Sequence, residues 1–158
     1  MRLFMLEPEV AGEIGSNTVY DNYDEVRYNR AYPKISYLHF VFLGWLGDDI
    51  LESTPCFVIT EKLMDKIKES KLSGCKFEKI EISLSDEFNE MYPNRQMPNF
   101  VRLIPTGNVH IEDNSYNNWT GEDFNVSDKL YLVVSEKALD IIRKFNMDNC
   151  DIYELNEK

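Results

Sequence analysis

Apolar positions along this chain follow two periods, one of a strand and one of a short helix. Residues 1–6 read as a first strand, and from Ile35 to Leu43 apolar side chains fill both alternating sets, the mark of a central strand covered on both faces. Phe100 to Ile104 reads as another strand, stopped by Pro105 and the turn Thr106-Gly107-Asn108, with Val109-His110-Ile111 opening its hairpin partner. Three stretches lack a period. Glu7 to Lys34 is polar and interleaves Tyr20, Tyr23, Tyr28, Tyr32 and then Tyr37 with charges, as a draped loop, a hairpin or part of a binding face would. Ser85 to Asn99 reads as loop after a helical turn at 86–92, and Glu112 to Asp128 reads as acidic, Asn-rich loop.

A repeat at a constant offset of 75 residues organises the rest. Phe57-Val58-Ile59-Thr60-Glu61-Lys62 corresponds to Leu132-Val133-Val134-Ser135-Glu136-Lys137, and Cys75 falls on Cys150. Thr60 and Ser135 are hydroxyl N-caps at the end of an apolar strand. Glu61 and Glu136 place a negative charge at the positive end of the helix that follows. Leu63, Met64 and Ile67 line one face of the first helix; Ala138, Leu139, Ile141, Ile142 and Phe145 line the second. Gly74 and Asn149 tolerate a left-handed exit before each closing strand. The expectation is an α+β fold: a mixed β-sheet with short amphipathic helices, containing a duplicated β-α-β unit (57–80 and 132–155). A right-handed crossover would lay the two strands of each unit parallel in one sheet, within a single domain over 1–158.

Composition narrows the function. Seventeen Lys and Arg against 28 Asp and Glu give a net charge of −11, which speaks against nucleic-acid binding through a basic face. The longest apolar run, Tyr37 to Leu46, is half of what a membrane helix needs, and the first residues lack a signal-peptide core, so a cytoplasmic location is expected. Cys56, Cys75 and Cys150 are odd in number and widely spaced, fitting reduced thiols that bind no metal.

Known catalytic signatures do not occur. There is no Cys-x-x-Cys or His-x-x-x-His spacing, no Gly-x-Ser-x-Gly elbow and no phosphate-binding glycine loop, so neither metal nor cofactor is expected. His39 lies mid-strand and reads as a satisfied core histidine. Carboxylates remain: Asp48, Asp49 and Glu52 follow Trp45, while Glu112, Asp113, Glu122 and Asp123 flank Trp119. They fit a divalent cation site, an acid/base pair, or an acidic, aromatic patch for a basic partner. The plain alternative is that Asp48 and Asp49 cap a helix beginning near Ile50 and the others are solvated loop. Trp119, in a polar loop, is the better interface anchor of the two tryptophans, and its replacement by Ala should leave folding intact.

The order Pro8-Glu9-Val10-Ala11-Gly12, GWLGDDI at 44–50, the Thr60-Glu61 helix ending in Leu72-Ser73-Gly74, Met97-Pro98-Asn99-Phe100, and Leu132-Val133-Val134-Ser135-Glu136 resembles small bacterial immunity-type proteins of polymorphic-toxin loci. The resemblance implies inhibition by binding: a cytoplasmic protein that masks one cognate toxin domain, with no catalysis of its own. Many such toxin domains are basic nucleases, to which a chain of charge −11 would be steered. The expected contact residues are Trp119, Glu122, Asp123, Asp113, Glu112, Asp48, Asp49 and Trp45. Two other classes stay open, a metal-dependent hydrolase using Asp48, Asp49 and Asp123, and a module that self-associates through a sheet edge. The hydrolase requires those carboxylates to converge in one pocket.

Overall fold

A computed structural model describes residues 2–27 and 33–158, so Tyr28 and Tyr32 of the tyrosine-rich stretch lie outside the described residues. The elements in chain order are β1 (Leu3–Glu7), β2 (Gly12–Ile14), β3 (Val19–Tyr20), α1 (Tyr23–Arg27), β4 (Ile35–Tyr37), β5 (His39–Phe42), β6 (Ile50–Ser53) and β7 (Cys56–Thr60). They continue with α2 (Glu61–Glu69), β8 (Cys75–Lys79), β9 (Glu81–Leu84), α3 (Asp86–Met91), β10 (Phe100–Pro105), β11 (Gly107–Glu112), β12 (Ser115–Asn117), β13 (Phe124–Ser127), β14 (Leu132–Ser135), α4 (Glu136–Ile142) and β15 (Asp151–Glu157). Mixed strands with short helices make this an α+β chain.

Segments 57–80 and 132–155 each run strand, helix, strand, without the neighbouring-strand crossover expected. β7 and β8 both pair antiparallel with β10 and flank it, and β14 and β15 both pair antiparallel with β1 and flank it. The two strands joined by each helix are therefore parallel without being neighbours. A strand from elsewhere in the chain fills the gap that the crossover leaves.

The second half closes. β1, β14, β13, β11, β12 and β15 form a six-stranded barrel whose interior holds Leu3, Val109, Ile111, Tyr116, Val133 and Leu155. In the first half the sheet β6-β7-β10-β8 meets the sheet β2-β5-β9 through a parallel bridge from Glu9 to Leu51 and through the chain passing from β8 into β9. Phe40, Phe42, Leu51, Val58, Phe88 and Phe100 fill the space between these two sheets. Helices α2 and α4 pack against one another and cover the remaining faces, where Leu63, Ile67, Ala138, Leu139 and Ile142 join Phe57, Ile59, Phe4 and Leu6 in the largest apolar cluster.

Local sequence explains the elements and some departures from expectation. All five residues of β7 and all four of β14 are buried, which is why these segments show no alternation. The Ile35–Leu43 segment is two strands: β4 pairs with β3, and β5 lies between β2 and β9. Glu112–Asp128 contains β12 and β13. Its pattern is hidden because β13 buries Asn125, whose Nδ2 donates to Glu122 O (2.8 Å) and Val133 O (3.2 Å). Thr106–Asn108 is not a hairpin turn; β11 leaves β10 and pairs in parallel with β13 and antiparallel with β12. No helix starts at Ile50, which opens β6. Ser85 caps α3 by accepting from Phe88 N at 3.0 Å.

Candidate functional site

The two tryptophans and their acids sit in two turns that match each other. Trp45-Leu46-Gly47-Asp48-Asp49-Ile50 and Trp119-Thr120-Gly121-Glu122-Asp123-Phe124 stand 74 positions apart and share the pattern Trp-x-Gly-acid-Asp-apolar. In each, the indole Nε1 donates to the carbonyl three residues on: Trp45 to Asp48 O at 2.9 Å and Trp119 to Glu122 O at 3.0 Å. Each ring also meets an aromatic edge to face, Trp45 on Phe100 with centroids 5.6 Å apart and Trp119 on Tyr116 at 6.3 Å. Gly47 and Gly121 carry φ of +107° and +92°, a left-handed turn that no side chain would enter without strain. Both tryptophans are half-buried anchors of their own turns.

The aspartate closing each turn is a clamp. Asp49, 3% exposed, accepts from Thr60 Oγ1 at 2.7 Å and from Asn146 N at 2.8 Å. Asp123 accepts from Ser135 Oγ at 2.6 Å, and from Ser73 N at 2.9 Å. Thr60 and Ser135 both stand at helix starts, but of these two expected hydroxyl caps only Ser135 caps with its side chain, accepting from Ala138 N at 3.1 Å. Thr60 spends its hydroxyl on Asp49. Ser73 lies in the loop leaving α2 and Asn146 in the loop leaving α4, so α2 and α4 run in opposite directions and each clamp ties the start of one helix to the exit of the other. Asp48, 1% exposed, accepts from Asn149 N (2.9 Å) and Asn149 Nδ2 (3.1 Å) in the same loop as Asn146.

The candidate residues are thus divided, not gathered. Asp48 and Asp49 are buried at one end of the helix pair, and Asp123 is half-buried at the other. Glu122 is half-buried, and its backbone carbonyl receives Trp119 and Asn125. Glu112 and Asp113 are exposed on the β11–β12 turn, where Glu112 Oε2 pairs with Lys158 Nζ at 2.7 Å. No group of three or more His, Cys, Asp or Glu suited to a metal ion occurs among the described residues. His39 is a satisfied core histidine: its Nδ1 accepts from Asn17 N at 3.2 Å, and its Nε2 lies 2.8 Å from Ser83 Oγ. The cysteines are free thiols, and burial pushes Cys56 and Cys75 up to about 11 and Cys150 up to about 12.

Two features went unseen in the sequence. Glu9 is buried, with its carboxylate accepting from Leu46 N at 2.7 Å and from Asp48 N at 3.4 Å, so it organises the first turn from β1's extension. Burial raises its pKa, against the pull of those amides. The second is an open apolar groove of about 350 Å³ beside that turn, lined by Val10, Leu43, Trp45, Leu46, Met91 and Tyr92. Two of its lining residues are held by Arg95, whose guanidinium stacks 4.7 Å from the Trp45 ring and 4.5 Å from the Tyr92 ring and donates to Trp45 O at 2.8 Å. Among the described residues no helix is long and apolar enough to cross a membrane. No protein-family model matches the chain, and no curated protein is similar to it in sequence.

Proposed function

We propose that this protein acts by binding: it is an immunity-type inhibitor that neutralises a basic toxin domain in the cytoplasm by direct contact, with no reaction of its own. The observation that carries the reading is the charge of −11 on a chain whose candidate catalytic carboxylates, Asp48, Asp49 and Asp123, are committed to backbone and hydroxyl partners at two separate ends of the helix pair. Exposed acids such as Asp86, Glu87, Glu90, Glu112 and Asp113 supply a negative surface that would steer a basic partner and speed its association. The matched pairings and the paired Trp-x-Gly-acid-Asp turns also support descent from a duplicated β-α-β unit, which gives a rigid two-part platform for such a surface.

The test begins with the gene neighbourhood, where a large secreted protein with a variable C-terminal domain is expected and its absence would count against the reading; this chain is then co-expressed with that domain. Rescue of growth and a stable one-to-one complex on size exclusion are expected. A domain that still kills in the presence of the folded chain, with no complex formed, would sink the reading.

A further inference from the structure

Taking the protein as a partner-binding one, we infer that the apolar groove beside the first tryptophan turn is the docking surface, and that its occupant is a basic protein that inserts an aliphatic side chain there. The groove carries the two most exposed large apolar side chains among the described residues, Val10 at 72% and Leu46 at 69%, together with Met91 at 57% and Leu43 at 41%. Four such residues around one depression exceed the scatter of single apolar residues expected on a soluble surface.

The matching turn in the second half tells what the fold itself requires at these positions. Glu9 pairs in parallel with Leu51 and Gly107 with Asn125, and Leu51 and Asn125 are 74 positions apart like the two tryptophans. Val10 thereby corresponds to Asn108, and Leu46 to Thr120. In the second half these are polar and bonded to each other: Asn108 N donates to Thr120 Oγ1 at 2.9 Å and Thr120 N donates to Asn108 O at 3.0 Å. The corresponding turn stands with Asn and Thr, its Thr120 amide bonded to Asn108 O where the Leu46 amide is bonded to the Glu9 carboxylate. Folding therefore does not explain Val10 and Leu46, and their exposure costs solubility unless a partner covers them.

Charge selects the partner. Met91 ends α3, whose Asp86, Glu87 and Glu90 are exposed, and Glu87 lies one turn from Met91 on the same helix face. An apolar centre with an acidic rim matches a basic surface with an apolar tip. A second copy would bring two acidic rims together, and an anionic lipid or nucleic acid would meet the same repulsion. Arg95, the cation at the groove, is already occupied by Trp45 and Tyr92.

The experiment pairs the full chain with the C-terminal domain that the reading above expects beside its gene, and measures binding by calorimetry and stopped flow. The double variant Val10→Asn/Leu46→Thr installs the residues the second half uses, so its thermal midpoint should stay at the parent value. Its affinity should fall at least tenfold, chiefly through faster dissociation, and Glu87→Lys/Glu90→Lys should slow association and flatten its salt dependence. Equal affinity of parent and double variant would overturn the groove while leaving the binding function standing. Absence of binding by the parent would overturn the function, and the groove with it. Light scattering of the chain alone adds one more arm: a dimer that the double variant dissolves would make a second copy the occupant and overturn the basic-partner assignment.

Discussion

Asp49 and Asp123 mirror one another across the pair of central helices, each accepting the hydroxyl that starts one helix and an amide from the loop that leaves the other. Each is an intramolecular tie that joins the two halves at a point where three chain segments meet.

Replacing Asp49 by Ala should therefore cost about 3 kcal/mol, because it removes two charge-assisted hydrogen bonds, leaves the buried Thr60 hydroxyl without its acceptor and frees the Asn146 amide. Asp123→Ala should cost less, about 1–2 kcal/mol, since water reaches that half-buried carboxylate. Burial works against the Asp123 charge, but the Ser135 hydroxyl and the Ser73 amide and hydroxyl prevail and hold its pKa below the ordinary aspartate range. Its contribution is thus present above the unfolded value and lost as pH falls through the lower folded value. Urea melts at pH 7 and pH 3 would check both points: Asp123→Asn should trail the parent at pH 7 and draw level toward pH 3.

Gly47→Ala and Gly121→Ala should each lower stability by about 1 kcal/mol. Space is not the reason, as nothing lies within 4 Å of either position where a Cβ would stand. The cost is the positive φ. Near-equal losses in chemical melts would support equivalence of the two turns; a loss at one alone would speak against it.

What the sequence disclosed followed from how each signal is written. The strand-hydroxyl-acid-helix rhythm at Thr60-Glu61 and Ser135-Glu136 was legible because a helix start is encoded within a few adjacent residues. The strand inserted between β7 and β8, and the one between β14 and β15, were not, because pairing partners about 40 and 130 positions away leave no local trace. The two tryptophan turns were within reach of a simple comparison, WLGDDI with WTGEDF, but their loops differ in flanking composition and Asn125 breaks the apolar pattern that follows. Trp119 looked exposed because its neighbours are polar; its own indole bond and Tyr116 are set by tertiary structure.

Trp119→Ala should for that reason destabilise the fold by about 2 kcal/mol, contrary to the expectation that folding stays intact. Trp119→Phe keeps the contact with Tyr116 and drops the bond to Glu122 O, so it should lose about 1 kcal/mol. A Trp119→Ala variant as stable as the parent would return this residue to the list of interface anchors.

The three thiols should be slow to react in the native state. Burial pushes Cys56 and Cys75 up to about 11 and Cys150 up to about 12, so the thiolate is scarce at pH 8. A disulfide-exchange reagent at that pH should count three thiols promptly in denaturant and react far more slowly with the folded chain. Fewer than three in non-reducing denaturant would reveal a disulfide.

Glu52 gives the clearest pH signature. It is half-buried on β6, and burial, reinforced by the nearby Glu7 carboxylate, pushes its pKa up to about 7. An unfolded glutamate titrates near 4.3, so below that pH both states are protonated and the group contributes nothing. Between about 4.3 and 7 the unfolded chain has shed a proton that the folded chain retains, and stability falls as pH rises; above about 7 the loss is complete and constant. Solvent reaching the exposed part of the side chain screens the effect, leaving about 1 kcal/mol. Glu52→Gln removes the titration. The variant should match the parent in urea melts at pH 4 and exceed it by about that amount at pH 8. A gain of the same size at both pH values would mean that amide packing, and not the suppressed charge, sets the energy of this position.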